Sequence, residues 1–287
     1  MKRIISQYID PKSKREIKVK YQKIKKSVVD SLLHYDGSDL QNKLKHLGVR
    51  SDDCLWVHSN FKPDSGFRGK PNDVVQAFMD LVGRDGNLLM VSIPFRGTAY
   101  DYLLKNKPFR LNKTLSMMGL ITEVFRRKPG VLRSFHPTHP VLAYGKDSAQ
   151  LVADHEKSLY PCGPDTPFGK LREMNGKILF YDVGFGAITF FHYVEHILRD
   201  KLPFPVYHEE IFSVAAYDRN DEEHQISTYA FNRKYVRNAG KLEAEMDRQK
   251  KLIRAKVGHS NLILANAEDV VACMTEMVEN GNLPYDL

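Results

Sequence analysis

The chain has 287 residues, 42% of them hydrophobic, which is enough to bury a sizeable core. It has no apolar run long enough to span a bilayer, and its first residues lack the apolar centre of a signal peptide, so we expect a soluble cytoplasmic protein. Its three cysteines lie far apart without a CxxC pair, which argues against a disulfide framework or a cysteine-rich zinc site and predicts buried thiols.

The net charge of +8 is concentrated at the amino-terminal end, where residues 1–30 hold ten Lys or Arg and three Asp or Glu. A solvated basic helix or a mobile arm is the simplest interpretation, while contact with phosphates, acidic lipid head groups or a partner stays open. No nucleic-acid-binding motif follows, so we expect no nucleic-acid partner. We divide the chain into a basic appendage, residues 1–35, and one domain, residues 36–287.

The first elements after the arm alternate between helices and strands. Leu40, Leu44 and Leu47 recur at helical spacing, and Gly48 can end the helix that they predict. Ser116 is a candidate N-cap for a later helix that a Pro-Gly pair ends. In this part of the chain we predict strands over 54–59 and 87–92 and helices over 72–83 and 116–130.

The second half of the chain continues the alternation. Strands are predicted over 139–145, 177–184, 206–218 and 224–231, and helices over 147–155, 188–200, 233–253 and 266–279. The last two strands are close enough to pair antiparallel, so the sheet should be mixed. The fold class that follows is α/β, a layered α/β/α domain with a mixed β-sheet.

The densest polar cluster, GFGAITFFHYVEH, follows an apolar strand and runs into a helix. Thr189, His192 and Glu195 are spaced three residues apart, so they are helix neighbours on one broad face. A carboxylate that holds one ring nitrogen of a histidine leaves the other free to accept a proton, as a general base does. On spacing alone, a core helix whose polar residues are merely solvated remains an alternative.

The same segment also spells HxxEH, the zinc-binding order of inverted zinc peptidases. His192 and His196 could bind one zinc, Glu195 could act as base, and Glu268 or Glu276 could supply a third ligand. A zinc-dependent hydrolase therefore stays an alternative function, although the motif has no clear second half.

Two loops add further candidate residues. In RSFHPTHP, just before a strand, two prolines stiffen the loop, and Ser134, His136 and His139 supply hydrogen-bonding groups. VHSNF ends the first predicted strand. Small polar residues at such a strand end can present backbone N–H groups to a phosphate or a carbonyl. Each signal is weak by itself.

Taken in order, these motifs resemble those of the aminoglycoside 3-N-acetyltransferase family over roughly residues 35–280. The matching pieces are a His-Ser-Ser type turn, a Gly-Thr-Leu type strand, an Arg-Ser-x-His-Pro loop, an Ala-x-Gly strand end, a Ser-Pro-x-Gly-x-Leu type segment and an Asn-Thr-x-x-His-x-x-Glu type helix. In this chain they read His58-Ser59-Asn60, GNLLM, RSFHP, AYG, TPFGKL and ITFFHYVE.

The resemblance implies an acyl-CoA-dependent N-acyltransferase with acetyl-CoA or another acyl-CoA as donor. It assigns the role of catalytic base to His192 and makes Thr189 and Glu195 its companions. It also implies that two segments line the CoA channel, and that no metal takes part. Those segments contribute His58, Ser59 and Asn60, and Ser134, His136 and Pro137.

Three positions depart from the family pattern: Asn60 replaces the second Ser of the turn, Pro140 follows His139, and Ile188 precedes Thr189. A polycationic aminoglycoside calls for excess carboxylates, yet the domain is near neutral. We therefore expect the acceptor to be the amine of an amino sugar or of an aminoglycoside-like compound. A nucleotide-linked amino sugar destined for a surface polysaccharide fits better than a native role in antibiotic inactivation. A homo-oligomer is possible, and a catalytically inactive binding protein on the same fold remains a second alternative.

Overall fold

The structure, a computed structural model, describes residues 10–62 and 64–286. The helices of this part of the chain are α1 (Pro11–Leu32), α2 (Gly37–His46), α3 (Pro71–Val82), α4 (Ala99–Leu103), α5 (Leu120–Arg126), α6 (Ser148–Val152), α7 (Pro167–Glu173), α8 (Phe191–Ile197), α9 (Ala239–Arg248) and α10 (Ala267–Glu279). The strands are β1 (Cys54–Ser59), β2 (Asn87–Val91), β3 (Phe109–Arg110), β4 (Leu132–Arg133), β5 (Val141–Gly145), β6 (Lys177–Tyr181), β7 (Tyr207–Tyr217), β8 (Glu223–Phe231), β9 (Val236–Arg237), β10 (Ile253–Val257), β11 (Ser260–Asn266) and β12 (Tyr285–Asp286).

A seven-stranded sheet in the order β10-β11-β6-β1-β2-β5-β4 forms the centre of the domain. Strands β6, β1 and β2 run parallel, whereas β5 and β11 pair antiparallel with β2 and β6. The predicted mixed sheet is confirmed. Because parallel strands end at the same edge, the carboxyl ends of β6, β1 and β2 lie side by side, where ligand sites form in open α/β sheets.

Alternate residues of the central strands enter two separate hydrophobic layers. Trp56 and Phe180 pack on one face together with α8 and α10, while Val57 and Tyr181 pack on the other with α2 and α3. Buried strands that are apolar on both faces need helices on both sides. The layered α/β/α class is therefore confirmed, and the three cysteines are free and buried as predicted.

The strands that we predicted to make the sheet mixed, over 206–218 and 224–231, are not part of that sheet. Strands β7 and β8 do pair antiparallel, but they form a separate three-stranded sheet with β3. Phe212 and Val214 of β7 and Ala230 of β8 pack against α4 in a small hydrophobic cluster of their own, which gives this hairpin a core apart from the main sheet.

Two predicted helices were also wrong in extent. The helix predicted over 116–130 begins at Leu120 with Gly119 as its N-cap, and Ser116 lies outside it, where its backbone N–H donates to the carboxylate of Glu123. The segment predicted as one helix over 233–253 contains β9 and the shorter α9, and β10 and β11 follow it without having been predicted. Gly258 lies in the turn between β10 and β11 and has a φ of 53°, in the left-handed region.

The basic arm forms α1 over Pro11–Leu32, and residues 1–9 of the predicted appendage lie outside the described residues. Tyr35, the last residue that our division assigns to the appendage, is buried and hydrogen-bonds through its hydroxyl to Tyr181 and Ser260. The core therefore begins at least one residue before the predicted boundary. Among the helices of the described residues, none combines the length and the apolar character that crossing a bilayer requires.

Candidate active site

His192 lies on α8, the short helix that follows the buried strand β6. A short turn of 3-10 helix, Phe185–Ala187, leads from the carboxyl end of this strand into the helix. Phe191 and Val194 of α8 are buried in the layer beneath the sheet. These apolar side chains anchor the helix, and His192 is left to line a groove at the surface.

Glu195 connects His192 to two distant parts of the chain. His192 Nδ1 lies 2.7 Å from Glu195 Oε2, and Arg237 Nε donates to the same oxygen at 2.7 Å. Tyr285 Oη donates to the other carboxylate oxygen at 2.7 Å. The Glu195 side chain is only 1% exposed, so these three donors replace the water that an ionised carboxylate needs.

The pKa directions fit a neutral imidazole beside an ionised carboxylate. Burial lowers the pKa of His192 below its usual 6.5, although the hydrogen bond to Glu195 acts in the opposite sense. Burial by itself would raise the pKa of Glu195, but His192 and Arg237 outweigh it and hold that pKa below 4.5. An ionised carboxylate only accepts hydrogen bonds, so Nδ1 of His192 carries the proton and Nε2 keeps its lone pair.

Aromatic rings fix the position of the imidazole in a groove of about 300 Å³. The ring of His192 stacks on Phe231 at 4.3 Å between centroids, and His139 meets it edge-on at 5.8 Å. Arg96 and Arg233 also line the groove. Within the described residues Nε2 of His192 makes no hydrogen bond, so it is available to a ligand in the groove.

Three hydroxyl oxygens near the carboxyl ends of the parallel strands are buried and have no hydrogen-bond partner among the described residues. Ser59 is the last residue of β1, and Ser92 directly follows β2. Thr189 lies between the 3-10 turn after β6 and helix α8. Nearly all buried polar groups in proteins are hydrogen-bonded. These hydroxyls are therefore candidate donors to a bound ligand.

The residues predicted for the CoA channel fall into two groups. His58 is buried and its Nε2 has no partner within the described chain, whereas Asn60 is exposed where β1 has ended. Ser134 is fully buried and its hydroxyl is within 2.8 Å of His155 Nδ1 and of the Val141 N–H.

The neighbouring loop residues are equally enclosed. His136 is fully buried and stacks on His155 at 4.4 Å, and Pro137 is buried beside it. This loop brings His139, rather than Ser134 or His136, to the groove.

In the described structure, His196 and Glu195 of the HxxEH motif are hydrogen-bonded to other side chains, which does not support a zinc site shared with His192. His196 Nδ1 contacts Tyr207 Oη at 3.0 Å, and its Nε2 lies 3.3 Å from Arg199. Glu195 is bound to Arg237 and Tyr285. The group of three possible metal ligands found among the described residues lies elsewhere, at Asp218, Glu222 and His224.

A larger groove, of about 540 Å³, lies beside the carboxyl end of β6. Neither His192 nor Glu195 lines it, and neither do Arg237 and Tyr285. Four of its charged side chains form ion pairs, Lys62 with Asp182 at 3.0 Å and Arg254 with Glu243 at 2.6 Å, and Lys256 also lines it. It has no free base or nucleophile comparable to His192, so we take the smaller groove as the candidate active site.

Sequence reasoning missed Arg237, Tyr285, Phe231 and the role of His139. Arg237 and Tyr285 are 42 and 90 residues from Glu195, and they come together because β9 pairs with β12. These two-residue strands carry no periodic signal that could have revealed the contact. His139 was visible as part of the Pro-rich loop, but nothing in that loop distinguished it from His136.

The family model described as aminoglycoside 3-N-acetyltransferase matches residues 56–279. Aminoglycoside N(3)-acetyltransferase III of Pseudomonas aeruginosa is 26% identical over 274 residues, which cover 88% of this chain and 97% of that protein.

Two solved structures share the fold. That of AAC-VIa bound to sisomicin has a TM-score of 0.73 at 24% identity, over 86% of this chain and 98% of that one. That of AAC-IIIb in a binary complex with CoASH has a TM-score of 0.73 at 21% identity, over 86% of this chain and 97% of that one. The chain belongs to the aminoglycoside 3-N-acetyltransferase family, a family of acetyl-CoA-dependent N-acyltransferases.

Proposed function

We propose that this chain transfers the acetyl group of acetyl-CoA to the amine of an amino sugar, with His192 as general base. The observation that carries the proposal is the buried contact from His192 Nδ1 to Glu195, which leaves Nε2 free at the groove. An imidazole oriented by a carboxylate is the arrangement that general-base catalysis requires. Membership of an acetyltransferase family supports the same reaction.

Buried hydroxyls near the carboxyl ends of the parallel strands fit a thioester donor. Acetyl-CoA supplies an acetyl group that is already activated for attack by an amine. Its thioester carbonyl and the amides of its pantetheine arm need hydrogen-bond partners, and Ser59, Ser92 and Thr189 have buried hydroxyls without one in the described chain. Thr189 is our candidate for the donor that stabilises the negative charge developing on the carbonyl oxygen.

The chain's own groups move one proton. His192 Nε2 accepts it from the attacking nitrogen as that nitrogen bonds to the acyl carbon, and then gives it to the departing sulfur as the carbon–sulfur bond breaks. Glu195 keeps Nδ1 protonated and stabilises the imidazolium, while Arg237 and Tyr285 keep Glu195 ionised. No covalent link between enzyme and acetyl group is needed.

For the donor channel we retain His58, Ser59 and Asn60 as contacts at the end of β1. Ser134, His136 and Pro137 act differently in this proposal, because their loop contributes His139, and none of these three, to the lining of the groove. The contacts of Ser134 with His155 and Val141, and of His136 with His155, shape the loop that presents His139 to the groove.

The acceptor that we propose carries a negative charge in addition to its amine, as a nucleotide-linked amino sugar does. Arg96 and Arg233 line the groove, and no Asp or Glu does so within the described residues. A polycation such as sisomicin, which is bound in one structural neighbour, would meet like charge there.

An acceptor panel tests this choice. With saturating acetyl-CoA, we expect a higher kcat/KM for thiol release with a nucleotide-linked amino sugar than with sisomicin or gentamicin. Arg233→Gln should lower kcat/KM for the charged sugar more than for the same amino sugar without phosphate, and Lys146→Gln, at another exposed position, serves as control. Transfer to aminoglycosides but not to amino sugars would contradict the acceptor assignment while leaving the acetyltransferase assignment intact.

A further inference from the structure

Helix α1 carries a continuous apolar stripe that faces solvent. Ile17, Tyr21, Ile24, Val28 and Leu32 follow one another at steps of three or four residues and therefore share one side of the helix. All five are exposed, and the least exposed of them, Val28, is 47% accessible. Isolated exposed apolar residues are ordinary, but a stripe along a 22-residue helix marks an interaction surface.

The body of the protein leaves this stripe uncovered. Among the described side chains of α1, Val29 alone is buried. Within the described residues the helix approaches the domain near its carboxyl end, where a side-chain atom of Val29 and the carbonyl of Leu33 lie close to Gly66. Val29 lies about 100° around the helix from Val28, so this contact is made by another side of the helix.

The charge of α1 selects the kind of partner. Residues 11–32 contain eight Lys or Arg, against Glu16 and Asp30. Lys14 and Lys20 precede Ile17 and Ile24 by three and four residues, are exposed, and lie on either flank of the stripe. Two copies of such a helix would repel each other, whereas an anionic surface would attract it.

We propose that α1 binds the surface of a bilayer rich in anionic phospholipids, with its apolar stripe in the boundary between head groups and acyl chains and its lysines among the phosphates. A basic helix with one apolar side and low mean hydropathy lies on a membrane without crossing it. The steps of four, three, four and four residues exceed the 3.5-residue repeat of a coiled-coil seam, so a flat surface suits the stripe better than a partner helix. A nucleic acid would leave the apolar residues uncovered.

Cosedimentation of the full-length protein with vesicles tests the proposal. We expect the protein to pellet with equimolar phosphatidylcholine and phosphatidylglycerol vesicles, to remain in solution with phosphatidylcholine alone, and to be released by high salt. The pair Ile17→Ser and Ile24→Ser should lower vesicle partition about tenfold or more, because two apolar side chains no longer enter the boundary. Lys20→Glu should lower it about tenfold.

Matched variants outside α1 distinguish the loss of this surface from effects that any exposed substitution of the same kind would have. Ile253→Ser changes an exposed isoleucine of β10, and Lys146→Glu reverses an exposed charge after β5, so both should bind vesicles like the wild type. Acetyl transfer should be unchanged in every variant. Binding that survives loss of the two isoleucines, equal binding to neutral vesicles, or a dimer in solution that these isoleucines maintain would each overturn the proposal.

Discussion

Three side chains, His192, Arg237 and Tyr285, bind the carboxylate of Glu195, and these contacts set the properties of His192 as the proposed base. A carboxylate with an exposed fraction of 1% would ordinarily become protonated, but three donors at 2.7 Å keep it ionised. The charge then offsets part of the cost of burying an imidazolium at His192. His192 thus combines a pKa below 6.5 with an environment that can accept its protonated form.

The pH profile of kcat/KM follows from these pKa directions. The active form of His192 is neutral, so activity should persist above its pKa and fall as the pH drops through a value below 6.5. Glu195→Gln removes the group that raises the pKa of His192, so the acid limb should move to lower pH while turnover also falls. Glu268→Gln, at a carboxylate in an ion pair with Arg172, is the control. An acid limb that stays in place in Glu195→Gln would contradict this coupling.

At the scale of elements, the pairing of β9 with β12 brings the carboxyl-terminal strand to the active site. Arg237 in β9 and Tyr285 in β12 are directly paired residues, and both bind Glu195. The two strands contain only two residues each, so the hydrogen bonds of Arg237 and Tyr285 to Glu195 add to the backbone pairing that holds them together.

Tyr285→Phe tests that connection. The variant leaves one oxygen of a buried carboxylate without its donor, and we expect a loss of about 2 kcal/mol in the free energy of unfolding. Turnover should fall too, because Glu195 holds His192 less firmly. Urea unfolding and thiol-release assays measure the two effects, with Tyr235→Phe as a matched control. A variant as stable and as active as Tyr235→Phe would show that the hydroxyl of Tyr285 has no role in the site.

Sequence patterns predicted the elements that carry strong local signals. The strand over 54–59 matches β1 in both bounds because its apolar run is buried on both faces. Strands β10 and β11 escaped prediction. Charged residues interrupt the apolar pattern of β10, and the helix predicted over 233–253 already included the first residue of that strand. Helical spacing brought His192 and Glu195 together as candidates, and the family resemblance assigned their roles. Arg237 and Tyr285 depend on strand pairing that brings together residues far apart in the chain.

At the scale of the whole molecule, several histidines are buried in their neutral form. Burial lowers the pKa of His58 and of His155 to about 3, and that of His136 falls well below 6.5. The unfolded chain binds a proton at each of these residues near pH 6.5, while the folded chain does not. The folded state should therefore lose stability progressively as the pH falls from about 6.5 toward 3.

Replacement of His58 measures one part of this loss. His58→Gln removes one such proton, so the free energy of unfolding should depend less steeply on pH, by about 1.4 kcal/mol per pH unit between pH 6 and 4. The comparison rests on the slope and is therefore independent of any change in overall stability. His46→Gln, at an exposed histidine, should keep the slope of the wild type. An unchanged slope in His58→Gln would mean that His58 is not buried neutral.

The most direct test of the account is acceptor-dependent release of free thiol from acetyl-CoA by the wild type, His192→Gln and His196→Gln, with an acceptor panel that includes sisomicin and a nucleotide-linked amino sugar. We expect turnover by the wild type, a fall of about 10² to 10⁴-fold in His192→Gln, and most of the wild-type rate in His196→Gln. Full turnover in His192→Gln, or equal loss in both variants together with stoichiometric zinc, would contradict His192 as the base of an acetyltransferase.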